Sequence, residues 1–366
     1  MHPSPLPAGR RLLGGCALAL AALTACAGGQ KKPTVVYPSP PDTPRIAWVR
    51  SFTTPKDLRT SGSQRFFDAI LPHESAQALV SPTGIALSPD ERRLYVASTT
   101  RARLMVVDLK TGEFDDMGAT GDDALKLPVG VAVDATGSVY VADKGLDAVL
   151  VFDAKGKVVR AVGKGLLVHP TGLALDRRRQ VLYVVNDAVT AAGKHSVEAF
   201  SLAGVHLRTL GGRPSDEAGY FHFPSQLAVS ASGELWVSDM LNFRVQVFDP
   251  DGGLVRMFGS QGPGTGLFDK IQGIAFDSFR NVYVVDTLKG VQIFNDRDQP
   301  LMSFGRGVTQ VPLGIVIDSR NHIYVTDYTN VVHEFELINT KAGDSYLPPP
   351  GGTQPPPSTG GASPPG

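Results

Sequence analysis

The chain has 366 residues, 42% of them hydrophobic, and 35 Lys+Arg balance 35 Asp+Glu to a formal net charge of zero. This length suits one large β domain or two ordinary ones, and the neutral balance argues against a general nucleic-acid binder, which carries a basic field. Cys16 and Cys26 are the two cysteines and both lie near the start, so the rest of the chain has no disulfide and must be stabilised by a packed core.

Arg10 and Arg11 precede the apolar stretch LLGGCALALAAL, and LTAC follows at 23–26. A basic start, an apolar core of this length and small residues before a cut describe an export signal rather than a membrane span. The cysteine at the cut resembles the bacterial lipobox. That resemblance implies a lipoprotein signal peptide over 1–25, lipidation of Cys26 and membrane attachment through it. Ala27, next in line, implies sorting to the outer membrane, so the expected location is the cell envelope, facing the periplasm or the cell surface. The following AGGQKKPTVVYPSPPDTP is rich in Pro, Gly and Lys and reads as a tether over 26–44, too polar and proline-broken to pack. At the other end, residues 341–366 read as a Pro/Gly-rich disordered tail.

SQRFFDAILPHESAQAL (63–79) predicts a short amphipathic helix with Phe66, Phe67, Ile70 and Leu71 as its apolar face, capping one end of the fold. Internal periodicity then dominates. Six segments align: PTGIALSPDERRLYVAS from Pro82, PVGVAVDATGSVYVAD from Pro128, PTGLALDRRRQVLYVVN from Pro170, PSQLAVSASGELWVSD from Pro224, IQGIAFDSFRNVYVVD from Ile271 and PLGIVIDSRNHIYVTD from Pro312. Their spacing of 41 to 54 residues suits one four-stranded propeller blade. Each copy gives an apolar strand, a polar turn, a second strand and a third, and most add a fourth such as GLVRMFGS. One aromatic recurs at Tyr95, Tyr140, Tyr183, Trp236, Tyr283 and Tyr324, and a second large apolar position holds Val107, Phe152, Phe200, Phe248, Phe294 and Phe335. Both series read as blade-to-blade packing. The sixth copy has no fourth strand of its own, and RIAWVRSF (45–52) matches the missing pattern. The expected fold is all-β, a six-bladed propeller over 45–340 with the N-terminal strand closing the last blade and leaving no open edge there.

These repeats resemble the six-bladed NHL-repeat propellers. The family's eponymous tripeptide falls at Asn242-Phe243-Arg244, which keeps only its Asn, flanked by the well-matched WVSD and VQVFD. The lipobox, the Pro-rich tether, RSFTTPKDL and SQRFFDAIL together resemble bacterial NHL-repeat lipoproteins.

The second strand of each copy ends in Ser98, Asp143, Asn186, Asp239, Asp286 or Asp327. A carboxylate ring would collect a cation, but Ser and Asn substitute freely in the series, which favours six local caps. Propellers bind ligands at one channel mouth through the loops entering the innermost strands. In this chain those loops differ from blade to blade, and Lys126, His169, His222, Asp269, Lys270 and Gln310 are the expected ligand-binding residues. His169 and His222 lie in equivalent loops of adjacent blades, yet catalytic zinc needs three protein ligands and no third His occupies such a loop. GxSxG, HExxH and phosphate-loop motifs are absent from the sequence, so no catalytic residue, metal ligand or cofactor is assigned. Two insertions, at 187–196 and 211–220, lengthen loops that offer recognition surface; DRRRQ (176–180) reads as a solvated hairpin turn. The expected function is noncovalent binding of a protein, glycan or envelope component, without nucleic acid. The alternatives are a metal-dependent lyase or lactone hydrolase at the channel mouth, and a scaffold for an envelope complex.

Overall fold

A computed structural model describes residues 35–59, 78–118, 124–187 and 193–338. The export signal, Cys26, the apolar face expected over 66–71 and the 341–366 tail lie outside the described residues. The chain enters through β1 (Val36–Tyr37), β2 (Ile46–Phe52) and the short helix α1 (Pro55–Leu58). Blade 1 is β3 (Pro82–Leu87), β4 (Arg93–Ser98), β5 (Arg103–Asp108) and β6 (Phe114–Met117); blade 2 is β7 (Pro128–Val133), β8 (Val139–Asp143), β9 (Ala148–Phe152) and β10 (Val158–Val162). Blade 3 is β11 (Pro170–Asp176), β12 (Val181–Asp187), β13 (His195–Ser201) and β14 (His206–Gly211). Blade 4 is β15 (Pro224–Val229), β16 (Leu235–Asp239), β17 (Arg244–Phe248) and β18 (Leu254–Phe258). Blade 5 is β19 (Ile271–Phe276), β20 (Val282–Asp286), β21 (Gly290–Phe294) and β22 (Pro300–Phe304), and blade 6 begins β23 (Pro312–Ile317), β24 (His322–Asp327) and β25 (Val331–Leu337). Every blade is an antiparallel meander, and the innermost strands neighbour one another all the way round. The structure is a six-bladed β-propeller.

Blade 6 is completed by β2, which pairs antiparallel with β25 in the register Ile46↔Leu337, Trp48↔Phe335 and Phe52↔Val332. The two ends of the described chain thus share one sheet, as the missing fourth strand predicts. The stretch expected to be tether contributes structure as well: Val36 and Tyr37 pair with Ala47 and Ile46 as a fifth strand. Tyr37 explains why. Its ring lies 6.2 Å from Phe304 and 6.5 Å from Phe335, and its hydroxyl donates to the Arg306 carbonyl at 2.9 Å, so one aromatic residue anchors the strand in the groove between blades 5 and 6.

Six apolar clusters lie in the six clefts between adjacent blades. Side chains alternate across a strand, and the two repeated large positions use opposite faces. Tyr140 of blade 2 enters the cluster shared with blade 3, whereas Phe152 of the same blade enters the one shared with blade 1. The same division holds around the ring: Tyr283 and Phe335 meet between blades 5 and 6, and Tyr324 faces blade 1. Each blade therefore has two apolar faces and can bury neither without neighbours. At roughly 1.5–3 kcal/mol per fully buried large side chain, these clefts hold the fold together, and the aromatic series is packing rather than a binding cage.

Around the axis, Gly84, Gly130, Gly172, Gly273 and Gly314 occupy equivalent places in five innermost strands, and Gln226 takes the sixth. A Cβ at Gly130 would lie 2.0 Å from the Thr171 carbonyl oxygen, at Gly314 2.4 Å from that of Thr83, and at Gly84 2.5 Å from that of Val129. At these glycines the strands converge so closely that a side chain has no room. Hydroxyls tie them together: Thr83 Oγ1 donates to the Val129 carbonyl at 3.0 Å, and Ser225 Oγ to that of Ile271 at 3.0 Å.

Candidate functional site

The residues ending each blade's second strand reach back to the loop that enters the same blade. Asp143 accepts the backbone N–H groups of Lys126 (2.7 Å), Leu127 (3.0 Å), Gly145 (2.8 Å) and Leu146 (3.1 Å). Asp286 accepts from Asp269 and Leu288, and Asn186 Oδ1 accepts from Val168 at 2.7 Å. Ser98, a hydroxyl rather than a carboxylate, donates instead to the Val80 carbonyl at 2.6 Å. These side chains are caps that staple the entry loop and the turn after the second strand to each other. The staple places all six expected binding residues at one mouth of the propeller.

Asp327 shows the strength of such a cap. Burial alone would raise its carboxyl, but the His333 imidazole, the Thr329 hydroxyl and the N–H groups of Gln310 and Thr329 outweigh burial and hold it far below the usual carboxylate range. A depressed native value contributes stability that is present above the unfolded pKa of about 3.9 and is lost as pH falls through the native value. Denaturant unfolding from pH 7 down to pH 2 is therefore expected to show a declining acid limb below about pH 4 that flattens in Asp327→Asn. An identical slope in the variant would remove this assignment.

Three entry loops are latched differently. Ser81, His169 and Phe223 have φ of +46°, +55° and +54°, a left-handed conformation unusual for residues other than Gly. In each, the N–H is taken by a side chain from the preceding blade: Asn330 Oδ1 for Ser81 (2.8 Å), Asp147 Oδ1 for His169 (2.8 Å) and His195 Nδ1 for Phe223 (3.1 Å). The mouth is thus cross-braced between blades, and the strained backbone is held by its neighbours.

His222 stacks on His195 at 5.8 Å. His195 opens β13 directly across from Asp187, with Nε2 3.7 Å from Asp187 Oδ1. Burial lowers the His195 pKa despite the nearby carboxylate, and burial raises that of Asp187, whose Oδ1 has no hydrogen-bond partner. Among the described residues no group of three or more His, Cys, Asp or Glu is arranged to hold a metal ion. Residues 188–192 of the first insertion lie outside the described residues. Asp269 is engaged by Lys289 Nζ at 3.3 Å, while Lys126, Lys270 and Gln310 are exposed.

Four large apolar side chains at this mouth escaped the sequence reading. Leu127 is 39% exposed, Leu241 40%, Leu288 68% and Tyr328 44%. Backbone bonds seat their turns on the entry loops: Leu241 N–H to the His222 carbonyl (3.0 Å), Thr287 N–H to that of Lys270 (2.9 Å) and Tyr328 N–H to that of Val311 (3.0 Å). Leu241 and Leu288 both stand two places after the capping Asp, in DML and DTL, where a leucine in a polar turn was the available signal. Together with Tyr328 they form an arc across blades 4, 5 and 6.

The channel itself holds a cavity of about 530 Å³, lined from the glycine level outward by Ile85, Leu175, Val229, Phe276 and Ile317, with Arg177 and Arg178 towards its open end. It reaches the turns between first and second strands, on the face opposite the entry loops. None of the six expected binding residues lines it.

The profile of a family described as SMP-30/Gluconolactonase/LRE-like region matches residues 72–187. The chain is 29% identical over 283 residues to E3 ubiquitin-protein ligase NHLRC1 of Rattus norvegicus, covering 73% of this chain and 69% of that protein. It is 32% identical over 223 residues to the Mus musculus protein, covering 57% of this chain but only 53% of the relative's length. Among solved structures, the gluconolactonase XC5397 of Xanthomonas campestris superposes with a TM-score of 0.58 at 20% identity, covering 84% of this chain and 97% of that one. A streptogramin B lyase gives 0.54 at 11% identity, covering 72% and 95%. The likeness is to propellers of the SGL and NHL kind. At these identities the superpositions speak for fold, and the activities belong to those proteins.

Proposed function

We propose that this propeller is a noncovalent binding platform, exported and lipid-anchored through Cys26, that presents its entry-loop mouth to a partner in the cell envelope. The observation that carries the reading is the arc of Leu241, Leu288 and Tyr328, exposed on turns that are hydrogen-bonded to a rigid ring. Exposed large apolar residues grouped on one face and rimmed by polar groups mark interaction sites, and an aromatic such as Tyr328 is the residue type enriched among those that carry most binding energy. Because the turns are fixed by backbone bonds, association orders little of the protein. The variants Leu241→Ser, Leu288→Ser and Tyr328→Ala, combined, are expected to reduce partner recovery from crosslinked native envelope at least about tenfold while leaving the melting temperature within a few degrees. Recovery equal to the parent would sink the mouth as the binding face. Attachment is tested separately: Cys26→Ala is expected to move the protein from the detergent phase to the aqueous phase.

A second reading, an enzyme at the same mouth, is favoured by one observation, the stacked His195–His222 pair beside Asp187, whose Oδ1 lies 3.7 Å from His195 Nε2 and makes no hydrogen bond. The fold it shares with a gluconolactonase and a lyase is compatible with it. Stoichiometric zinc or calcium in the purified protein, lost in His222→Ala, would favour it over the platform.

A further inference from the structure

We propose that the mouth takes an acidic protein segment that also carries apolar side chains, an inference that rests on the mouth being the binding face argued above. Lys126 and Lys270 sit in entry loops, Lys144 in the turn bonded to the Leu127 carbonyl, and Lys194 immediately before β13. Among the described residues none of these four ammonium groups has a carboxylate within ion-pair distance.

Most described carboxylates of the same region are recessed or committed; Asp216, in the loop entering blade 4, is the exposed exception. Asp143, Asp239, Asp286 and Asp327 are fully buried and committed to the loops they cap, Asp239 also to the Asn242, Arg244 and Gln246 side chains. Asp147 holds the His169 N–H, and Asp269 holds Lys289. Asp187 has a free oxygen, but the residue is only 9% exposed. Among the described residues, a partner touching the mouth therefore meets ammonium groups without an ion-paired carboxylate and exposed apolar side chains, on a chain whose overall charge is zero.

That pairing selects a chemistry. A neutral apolar segment would cover the lysines and leave desolvated charges unpaired, which is costly. A uniformly anionic polymer would satisfy the lysines but leave Leu288 and Tyr328 against charge. Alternating acidic and apolar side chains satisfy both. The recessed carboxylates weaken the field at a distance, so the attraction acts at contact range and is screened by salt.

The test uses the purified protein, fluorescent synthetic peptides and anisotropy. The acidic peptide alternates Glu with Leu; Ser replaces Glu in a neutral control, and a single-stranded oligonucleotide serves as the polyanion. The acidic peptide is expected to bind at least about tenfold tighter than the neutral one and to weaken several-fold as salt rises. Lys126→Gln with Lys270→Gln is expected to bring it to the neutral level at an unchanged melting temperature, and the conservative Arg replacements are expected to restore it. Equal binding of both peptides, lost in Leu288→Ser, overturns the acidic preference while the mouth stands as the binding face. Peptide binding indifferent to Leu288→Ser and to the lysine variants overturns both. An oligonucleotide that displaces the acidic peptide assigns the mouth to nucleic acid instead, and no peptide binding at all overturns the proposal.

Discussion

A chain beginning at Thr53 is expected to lose the cooperative melting of a chain beginning at Val35, or to melt at least about 15 °C lower. The truncation removes β1 and β2, and β2 is the outer neighbour of β25. It carries Ile46 and Phe52, buried at 0% and 1% exposure in two different clefts, between blades 5 and 6 and between blades 6 and 1. Losing a buried Ile costs about 2–5 kcal/mol and a buried Phe about 3–5, a sum comparable with the whole stability of an ordinary domain. The Arg50–Glu334 ion pair and the Ser51–His333 hydrogen bond go with it. The remaining blade would expose the edge of β25, a site for pairing with other chains. A synthetic peptide of residues 45–54, bound only by the folded ring, is expected to raise the melting temperature of the truncated chain in proportion to its concentration. Should the truncated chain melt at the parent temperature, closure by the N-terminal strand is not what holds this ring.

The second large effect concerns a single methyl group. Gly130→Ala places a Cβ 2.0 Å from the Thr171 carbonyl oxygen and 3.2 Å from its carbonyl carbon, both backbone atoms of the adjacent innermost strand. No side-chain rotation relieves that contact, so the two strands must separate at the level where the ring is tightest. Overpacking of this kind costs about 3 kcal/mol, or a fall of roughly 6–12 °C for a domain of this size. Gly264→Ala is the matched control, since its nearest neighbour is the Leu267 Cδ1 at 3.5 Å, and it is expected to change stability by less than about 0.5 kcal/mol. Equal melting temperatures for the two variants would mean that the innermost strands have slack that the structure does not show.

Much of the architecture was legible because it is written in periods of two. Alternation marks each strand, the polar cluster marks each turn, and the recurrence of Tyr95 through Tyr324 and of Val107 through Phe335 marks two opposite faces of every blade. Blade number and closure follow from counting strands: five copies with a fourth strand, one without, and RIAWVRSF left over. The capping role of Asp143 and its equivalents was also readable, since a position that tolerates Ser and Asn is chosen for local hydrogen bonding rather than for charge.

The site was less legible. Lys126, His169, His222, Asp269, Lys270 and Gln310 could be assigned to the entry-loop end of the ring by their position before each innermost strand, but what each one touches depends on blades far away in sequence. His195 was set aside because it lies in an insertion rather than in an entry loop, and only the pairing of β12 with β13 brings it opposite Asp187 and against His222. Tyr37 looked like part of a tether because the four residues between Pro33 and Pro38 carry no period, and the groove that receives its ring is made by Phe304 and Phe335. The blades are specified locally, since each one's alternation is short-range and repeated. Only the closed ring decided which side chains meet, which carboxylates are spent on backbone and which leucines stay in water, because those outcomes depend on contacts between elements that the chain brings together only when the wheel shuts.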